Sequence, residues 1–146
     1  MFVHVRQPIF PLNQYVAQLV YYTDYDPDYK GVFMLPNGTV ELLIPLDEMS
    51  RTFYVGASYD DLISCRRAIL TGMQKRPVYT RSDAGATMVA VTFKGGGSFP
   101  FLHLPLVEFN DLYVEAEQIF GRSILFSREQ LGQLSEPEEI LTLVEQ

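Results

Sequence analysis

Cysteine and histidine are scarce in this sequence, and tryptophan is absent. The single cysteine, Cys65, rules out an internal disulfide, fits a reducing compartment, and is expected to be a small buried residue and not a reactive thiol. The two histidines, His4 and His103, are far apart, so a nucleophilic serine or cysteine has little choice of base, and no zinc-ligand spacing exists. The sequence therefore argues against an enzyme, a cofactor and a metal site, and we expect none of them.

Basic residues and long apolar runs are also in short supply. Lysine and arginine number 11 against 18 acidic residues, which leaves a formal charge of −7. Such a charge repels a phosphate backbone, so we do not expect this chain alone to bind nucleic acid. No run approaches the roughly 18 apolar residues of a membrane span, and the N-terminal MFVHVRQPIF lacks the features of a signal peptide. We therefore expect a cytoplasmic protein with no membrane contact.

What is present predicts one domain over residues 1–146, with an apolar fraction of 47%, 10 phenylalanines and 9 tyrosines. From about residue 32 to 94, short alternating apolar runs are separated by turn residues, which is typical of antiparallel sandwiches and barrels. We expect strands at residues 32–35, 40–46, 52–55, 63–70, 76–80 and 87–93.

The stretch 33–46, FMLPNGTVELLIPL, gives the clearest signal. Pro36, Asn37 and Gly38 predict a turn, and the alternation that follows predicts a strand buried on at least one side. Glu41 is the one acid in this strand. It either faces solvent beside the turn or lies inside a barrel, where it would need a hydrogen bond from a ligand or a loop.

Helices are expected on both sides of this β region. Near the N-terminus, the spacing of Leu12, Tyr15, Val16 and Leu19 predicts a helix within 10–22, with Asn13 as its cap. The acidic residues that follow it are spaced like a calcium loop but lack the required glycine and glutamate, so they predict a solvated turn; they are Asp24, Asp26 and Asp28.

The segment 98–146 is expected to be helical. Residues 110–120 predict a helix that ends at Gly121, and two capping boxes predict further helix starts; these are Ser127 with Gln130 and Ser135 with Glu138, the second followed by Pro137. The last helix carries an apolar stripe of Ile140, Leu141 and Val144. This stripe either packs on the domain, pairs with another copy or leads into more protein, and we expect a homodimer.

A series of short motifs occurs in order along nearly the whole chain. It consists of Pro8 with the predicted helix that carries Leu12, Tyr15 and Val16, then LPNGTVEL at 35–42, Val55-Gly56, VAVTF at 89–93 followed by Gly95-Gly96, and LPLVEFND at 104–111. Together these motifs resemble the N-terminal sensor domain of one branch of the AraC-type bacterial transcription regulators. The resemblance implies a mainly β fold with helices: a cupin-like or related antiparallel β-barrel, flanked here by an N-terminal helix and two to three C-terminal helices.

The same resemblance implies regulation of transcription, through binding of a small-molecule effector, dimerisation or both. In that family DNA is bound by a C-terminal pair of helix-turn-helix motifs, and this chain stops at Gln146 without basic recognition helices. We therefore expect an excised domain or a stand-alone remnant. The alternatives are a structural homodimerisation module whose barrel is filled by its own aromatic residues and, less favoured, a small cupin-type enzyme.

A partly apolar effector would need a few polar groups in the barrel or at its mouth. The candidates for ligand binding, each of which has a surface or structural role as its alternative, are Glu41, Tyr54, Arg67, Tyr79, Thr92 and His103. Arg66 and Arg67 are adjacent, so in a strand one of them points inward, with Glu41 as a candidate partner, unless both lie at the rim.

Overall fold

Two antiparallel sheets form the centre of the computed structural model, which describes residues 2–25, 31–81 and 84–146. The strands are β1 (Phe2–Arg6), β2 (Val16–Tyr25), β3 (Val32–Met34), β4 (Glu41–Pro45), β5 (Arg51–Val55), β6 (Asp61–Cys65), β7 (Ile69–Thr71), β8 (Val78–Arg81), β9 (Ala86–Phe93) and β10 (Tyr113–Glu115). The helices are α1 (Phe99–Leu102), α2 (Glu117–Phe120), α3 (Ser123–Gly132) and α4 (Pro137–Glu145), with short 3-10 turns at Leu12–Gln14 and Leu106–Phe109.

The larger sheet has six strands in the order β1-β2-β9-β4-β7-β10, and the smaller has four in the order β3-β8-β5-β6. All neighbouring strands pair antiparallel, and the two sheets do not close into a single barrel. Mainly antiparallel β structure with a few helices is therefore confirmed. The β region is also longer than the expected 32–94, because β1, β2 and β10 lie outside that range.

One face of the larger sheet packs against the C-terminal helices, and the other faces the smaller sheet. On the helix side, Leu19 and Leu70 are fully buried together with Ile140 and Leu141 of α4. On the other side, Leu43, Phe53 and Met88 belong to a second apolar cluster between the sheets. Because successive side chains of a strand point to opposite faces, the larger sheet contributes to both apolar clusters. This explains why four consecutive residues of β4, 42–45, are buried.

The N-terminal helix predicted within 10–22 is wrong. Only a 3-10 turn forms at Leu12–Gln14, and Val16–Tyr25 is the longest of the described strands. The pairing of β2 with β9 shifts register between Val16 and Gln18, so that Val16 and Leu19 both face the helices although they are three residues apart. This bulge reproduces the spacing of a helix face within a strand.

Two other local expectations also fail. Residues 63–70 are not one strand, because the chain leaves the smaller sheet after Cys65 and enters the larger one at Ile69. Residues 110–120 are not one helix, because Tyr113–Glu115 pairs with β7 as an edge strand. The short α2 that follows does end at the predicted C-cap, Gly121.

Neither of the last two helices begins with its predicted capping box. Ser127 lies inside α3, which begins at Ser123. Helix α4 begins at Pro137 as expected, but its N-cap is Glu136 and no side chain caps it. The remaining predicted strands are confirmed to within about two residues at each end. The acidic turn at 24–28 falls largely outside the described residues.

The apolar stripe of α4 packs on its own domain. Ile140 and Leu141 are each 1% exposed, in the core shared with β2. Arg6 of β1 reinforces this position by pairing with Glu138 and Glu145 of α4, the second at 3.6 Å between Nη1 and Oε2. The stripe therefore no longer argues for a dimer. Among the described residues, no helix has the length and apolar character needed to cross a membrane.

Candidate functional site

A cavity of about 310 Å³ lies between the two sheets. Most of its wall is apolar or aromatic, and the lining residues include Tyr22, Leu43, Phe53, Ile69, Met88 and Ala90. Its volume is at the lower end of the usual range for small-molecule sites, about 300–1,000 Å³. One acidic and one basic side chain, Glu41 and Arg51, also line it.

Strand alternation explains why these residues share the cavity. On β4, Leu42 and Ile44 face the helices, so Glu41, Leu43 and Pro45 face the smaller sheet. The cross-strand partners of Glu41 are Thr92 on β9 and Thr71 on β7, which lie on the same face. Glu41 is thus the cavity-facing member of a short polar row at one end of the sheet.

Glu41 has a weak set of hydrogen bonds for an acid in this position. The Thr92 hydroxyl donates to its Oε1 at 3.4 Å, which is long for such a bond. Burial raises the pKa of Glu41, and the Thr92 hydrogen bond offsets only part of that effect. Burial and the nearby Glu41 charge also raise the pKa of Tyr113, two strands away in the same row. The carboxyl group is therefore held where a hydrogen bond from a ligand would improve its environment.

This environment predicts that Glu41→Gln is more stable than the wild type at neutral pH, by about 1 kcal/mol. Because the pKa of Glu41 is raised on folding, the folded state disfavours the carboxylate. The wild type's free energy of unfolding then falls as the pH rises from the unfolded pKa, about 4.3, through the folded pKa, and levels off above it. Urea denaturation at about pH 3.5 and about pH 7 measures the difference.

The matched control for this prediction is Glu129→Gln, which changes an exposed carboxyl on α3. The stability of this control should differ little from that of the wild type at either pH. A Glu41→Gln variant that is less stable than the wild type at neutral pH, or whose advantage is the same at both pH values, would contradict the assignment.

Arg51 and Asp47 form a buried ion pair at the other end of the cavity. Arg51 is 3% exposed, and its Nη1 and Nη2 donate to the two carboxylate oxygens of Asp47 at 2.9 and 2.8 Å. Burial alone would raise the pKa of Asp47, but hydrogen bonds from Arg51 and from the N–H groups of Thr87 and Met49 hold it below its usual value. Both groups therefore stay charged at neutral pH, and together they carry no net charge.

Tyr22 adds a hydroxyl beside this pair. Burial raises the pKa of Tyr22 to about 12, an effect that the neighbouring Arg51 only partly offsets. The hydroxyl stays protonated at neutral pH and contacts the Met88 sulfur at 3.7 Å, a weak acceptor. The site thus has a carboxyl group at one end, a guanidinium and a phenol at the other, and apolar walls between them.

Most of the β structure lies in a region that matches a known protein family. The family model described as Domain of unknown function (DUF6597) matches residues 4–115, which is most of the chain. The chain belongs to this family. The DUF6597 match overlaps every described strand and includes both polar ends of the cavity, while α2, α3 and α4 lie beyond it. No curated protein matches the chain in sequence.

Within the DUF6597 region, two of the six predicted ligand-binding residues lie at the cavity. Glu41 lines it, and Thr92 donates to Glu41. Tyr54 and Tyr79 face away from the cavity on the smaller sheet, where their ring centroids are 5.6 Å apart. Phe53 and Thr80, their neighbours along the chain, are the residues that face inward.

The other two candidates lie elsewhere in the DUF6597 region. Arg66 and Arg67 are both exposed, and Arg67 pairs with Glu117 at 3.0 Å, so the expected partnership with Glu41 does not form. His103 is exposed and caps α1 in a left-handed conformation, with φ of 56°. Cys65 is buried as expected, and burial raises the pKa of its thiol.

Arg51, Asp47 and Tyr22 are not among the residues predicted for the site from the sequence. Arg51 could have been predicted, because it directly precedes the predicted strand 52–55. The strand period of two places it on the same, inward face as Phe53 and Val55. Among residues 2–25, 31–81 and 84–146, no three histidine, cysteine, aspartate or glutamate side chains are grouped so as to hold a metal ion.

Proposed function

We propose that this chain is a cytoplasmic, non-enzymatic regulatory domain of the AraC type, whose small-molecule effector binds between the two sheets. One observation carries the proposal: Glu41 faces an otherwise apolar cavity with only a 3.4 Å hydrogen bond from Thr92 to its carboxyl group. An acid placed there lowers stability, and side chains that lower stability are typical of functional sites.

The strand order supports the cupin-like part of the proposal. The four inner strands of the larger sheet follow the order β2-β9-β4-β7, and they face β3-β8-β5-β6. Eight strands divided between two sheets in this way have the order of a jelly roll, the double-sheet architecture to which cupins belong. A barrel-like interior open at its edges would give an effector access to the cavity.

The lining indicates what kind of effector fits. A mainly apolar compound would fill the space between Leu43, Phe53 and Met88, and a hydroxyl or amine on it would donate to Glu41. We propose that DNA is contacted through a helix-turn-helix domain and not by this chain, whose formal charge of −7 disfavours a phosphate backbone.

A second candidate, a homodimerisation module without a ligand, is favoured by one surface. Strand β1 is an edge strand of the larger sheet, and Phe2, Val3 and Val5 on it are 64%, 50% and 61% exposed. An unpaired edge with exposed apolar side chains is suited to pairing with another copy. The two candidates differ in whether the cavity binds anything.

The test is a thermal-shift screen of a metabolite library on the wild type and on Ala90→Leu. Ala90 lines the cavity, so the larger side chain should fill part of it and abolish the response to a ligand. A ligand at one hundred times its Kd stabilises the wild type by about 2.7 kcal/mol, which is readily seen as a rise in Tm.

Ala57→Leu, in the exposed turn after β5, is the matched control and should respond like the wild type. Circular dichroism establishes that each variant is folded. A flat response of the wild type to a broad library would favour the homodimerisation module. Equal shifts in the wild type and Ala90→Leu would place binding outside the cavity.

A further inference from the structure

Glu41 keeps one carboxylate oxygen free for a ligand. Its Oε1 accepts the 3.4 Å hydrogen bond from the Thr92 hydroxyl, whereas the Thr71 hydroxyl, on the neighbouring strand, donates to the main-chain carbonyl of Glu41. No donor among the described residues reaches Oε2. This oxygen also keeps accessible surface, because it is not one of the three side-chain polar atoms that the described residues bury without a partner. A ligand in the cavity can therefore contact it.

No cation compensates the charge of Glu41 within the described part of the chain. Glu41 takes part in none of the described ion pairs, and only burial and the Thr92 hydrogen bond shift its pKa. Arg51, the one basic side chain among the described lining residues, is held by both carboxylate oxygens of Asp47. The cavity wall thus carries a net negative charge whenever Glu41 is ionised.

This charge balance distinguishes between the groups that a ligand could present to Oε2. A hydroxyl would donate a hydrogen bond but leave the carboxylate without a counter-charge in a mainly apolar cavity. An ammonium group would donate and also supply the counter-charge, and their attraction is stronger in such a site than in water. A ligand carboxylate would meet a like charge. Because Glu41 is only half-buried, an ammonium group beside it keeps part of its hydration.

We propose that Glu41 binds a protonated amine of the effector. The effector is then a primary amine with an apolar body that lies between Leu43, Phe53 and Met88. This inference rests on the proposed function, since it names the chemistry of a ligand in the same cavity. It selects the cationic one of the two donor types, hydroxyl and amine, that Glu41 can accept from.

Three probes that differ in one group test this choice on the intact chain. They are 2-phenylethylamine, 2-phenylethanol, in which a hydroxyl replaces the ammonium group, and phenylacetate, which carries the opposite charge. Isothermal titration calorimetry at about pH 7 and about 0.15 M salt, which screens the acidic surface, gives their affinities. The methyl signals of Met34 and Met88 report binding in the cavity. We expect the amine to bind about tenfold more tightly than the alcohol, and phenylacetate to bind most weakly.

Glu41→Gln removes the charge with little change of shape. In this variant the amine should bind no more tightly than the alcohol, whose affinity should stay close to that in the wild type. Glu129→Gln, which removes the same charge from an exposed position on α3, is the matched control and should keep the tenfold preference for the amine. Circular dichroism establishes that both variants are folded.

The pH dependence of binding is a second readout. The amine pairs with the carboxylate, so its affinity should fall as the pH decreases through the folded pKa of Glu41, which burial raises. The facing groups stay as they are between about pH 7 and about pH 5: the raised pKa of Tyr113 keeps it protonated, and the Arg51–Asp47 pair stays charged. The alcohol controls for any effect of Asp111, whose charge acts on Tyr113.

Equal or tighter binding of the alcohol would overturn the amine site, and so would a preference for the amine that survives in Glu41→Gln. The proposed function would stand in either case if the bound probe still shifts the Met34 and Met88 signals. If none of the three probes binds the wild type, the amine site is overturned, and the library screen decides the proposed function separately.

Discussion

Gly72→Ala is expected to destabilise the fold by more than about 3 kcal/mol. Gly72 follows β7, and its N–H donates to the Leu112 carbonyl at 2.9 Å. A Cβ atom at this position would lie 1.6 Å from the carbonyl oxygen of Phe109. That neighbour is backbone, so no rotamer change relieves the overlap, and the segment leading into β10 would have to move away.

Urea denaturation of the wild type and Gly72→Ala measures this cost, and Gly95→Ala is the matched control. A Cβ atom on Gly95 has no described atom within 4 Å, and this glycine has no positive φ, so the control should change stability by less than about 0.5 kcal/mol. Similar stabilities for the two variants would show that β10 is not docked against β7 as described.

Asp47→Ala is expected to cost about 3 kcal/mol at neutral pH. The substitution leaves the Arg51 guanidinium buried without its counter-charge, and it also removes the acceptor for the N–H groups of Thr87 and Met49. Because the Asp47 side chain keeps 15% exposure, water can reach the vacated position, which keeps the loss at the low end of the range for buried pairs.

The pH dependence follows from the lowered pKa of Asp47. Its contribution is fully present above the unfolded pKa, about 3.9, and is lost as the pH falls through the folded pKa. The gap between the wild type and Asp47→Ala should therefore narrow in acid. Glu48→Ala is the control, since Glu48 pairs with Arg128 but is 83% exposed, and it should cost less than about 1 kcal/mol. Equal losses for the two variants would argue against a buried Asp47–Arg51 pair.

Most strands were predictable from sequence because their alternation is local. The runs that became β4, β5, β8 and β9 each carry a two-residue apolar period between turn residues. Strand β2 was not predictable in this way, since its bulge places Val16 and Leu19 on one face with helical spacing. Strand β10 forms only because β7 offers it an edge, which is information that the segment itself does not contain.

The site was predictable in part for the same reason. Glu41 is conspicuous as the one acid in an apolar strand, and the structure places it in the cavity wall. Arg51 reaches the same cavity from the other sheet, and its partner Asp47 precedes it by four residues in a loop, a spacing that is not specific to any site. The strand order determines which residues of the two sheets face each other. That order cannot be read from the local pattern of apolar and polar residues.

Methionine-methyl NMR can show whether a small molecule binds between the two sheets. Of the five methionines in the chain, Met34 and Met88 line the cavity, whereas Met73 packs against the core on the helix side. We expect the tightest ligand from the screen to shift the methyl signals of Met34 and Met88, to leave Met73 unchanged, and to have no such effect on Ala90→Leu. Shifts at Met73 alone, or none at Met34 and Met88 with any ligand that raises the Tm, would contradict it.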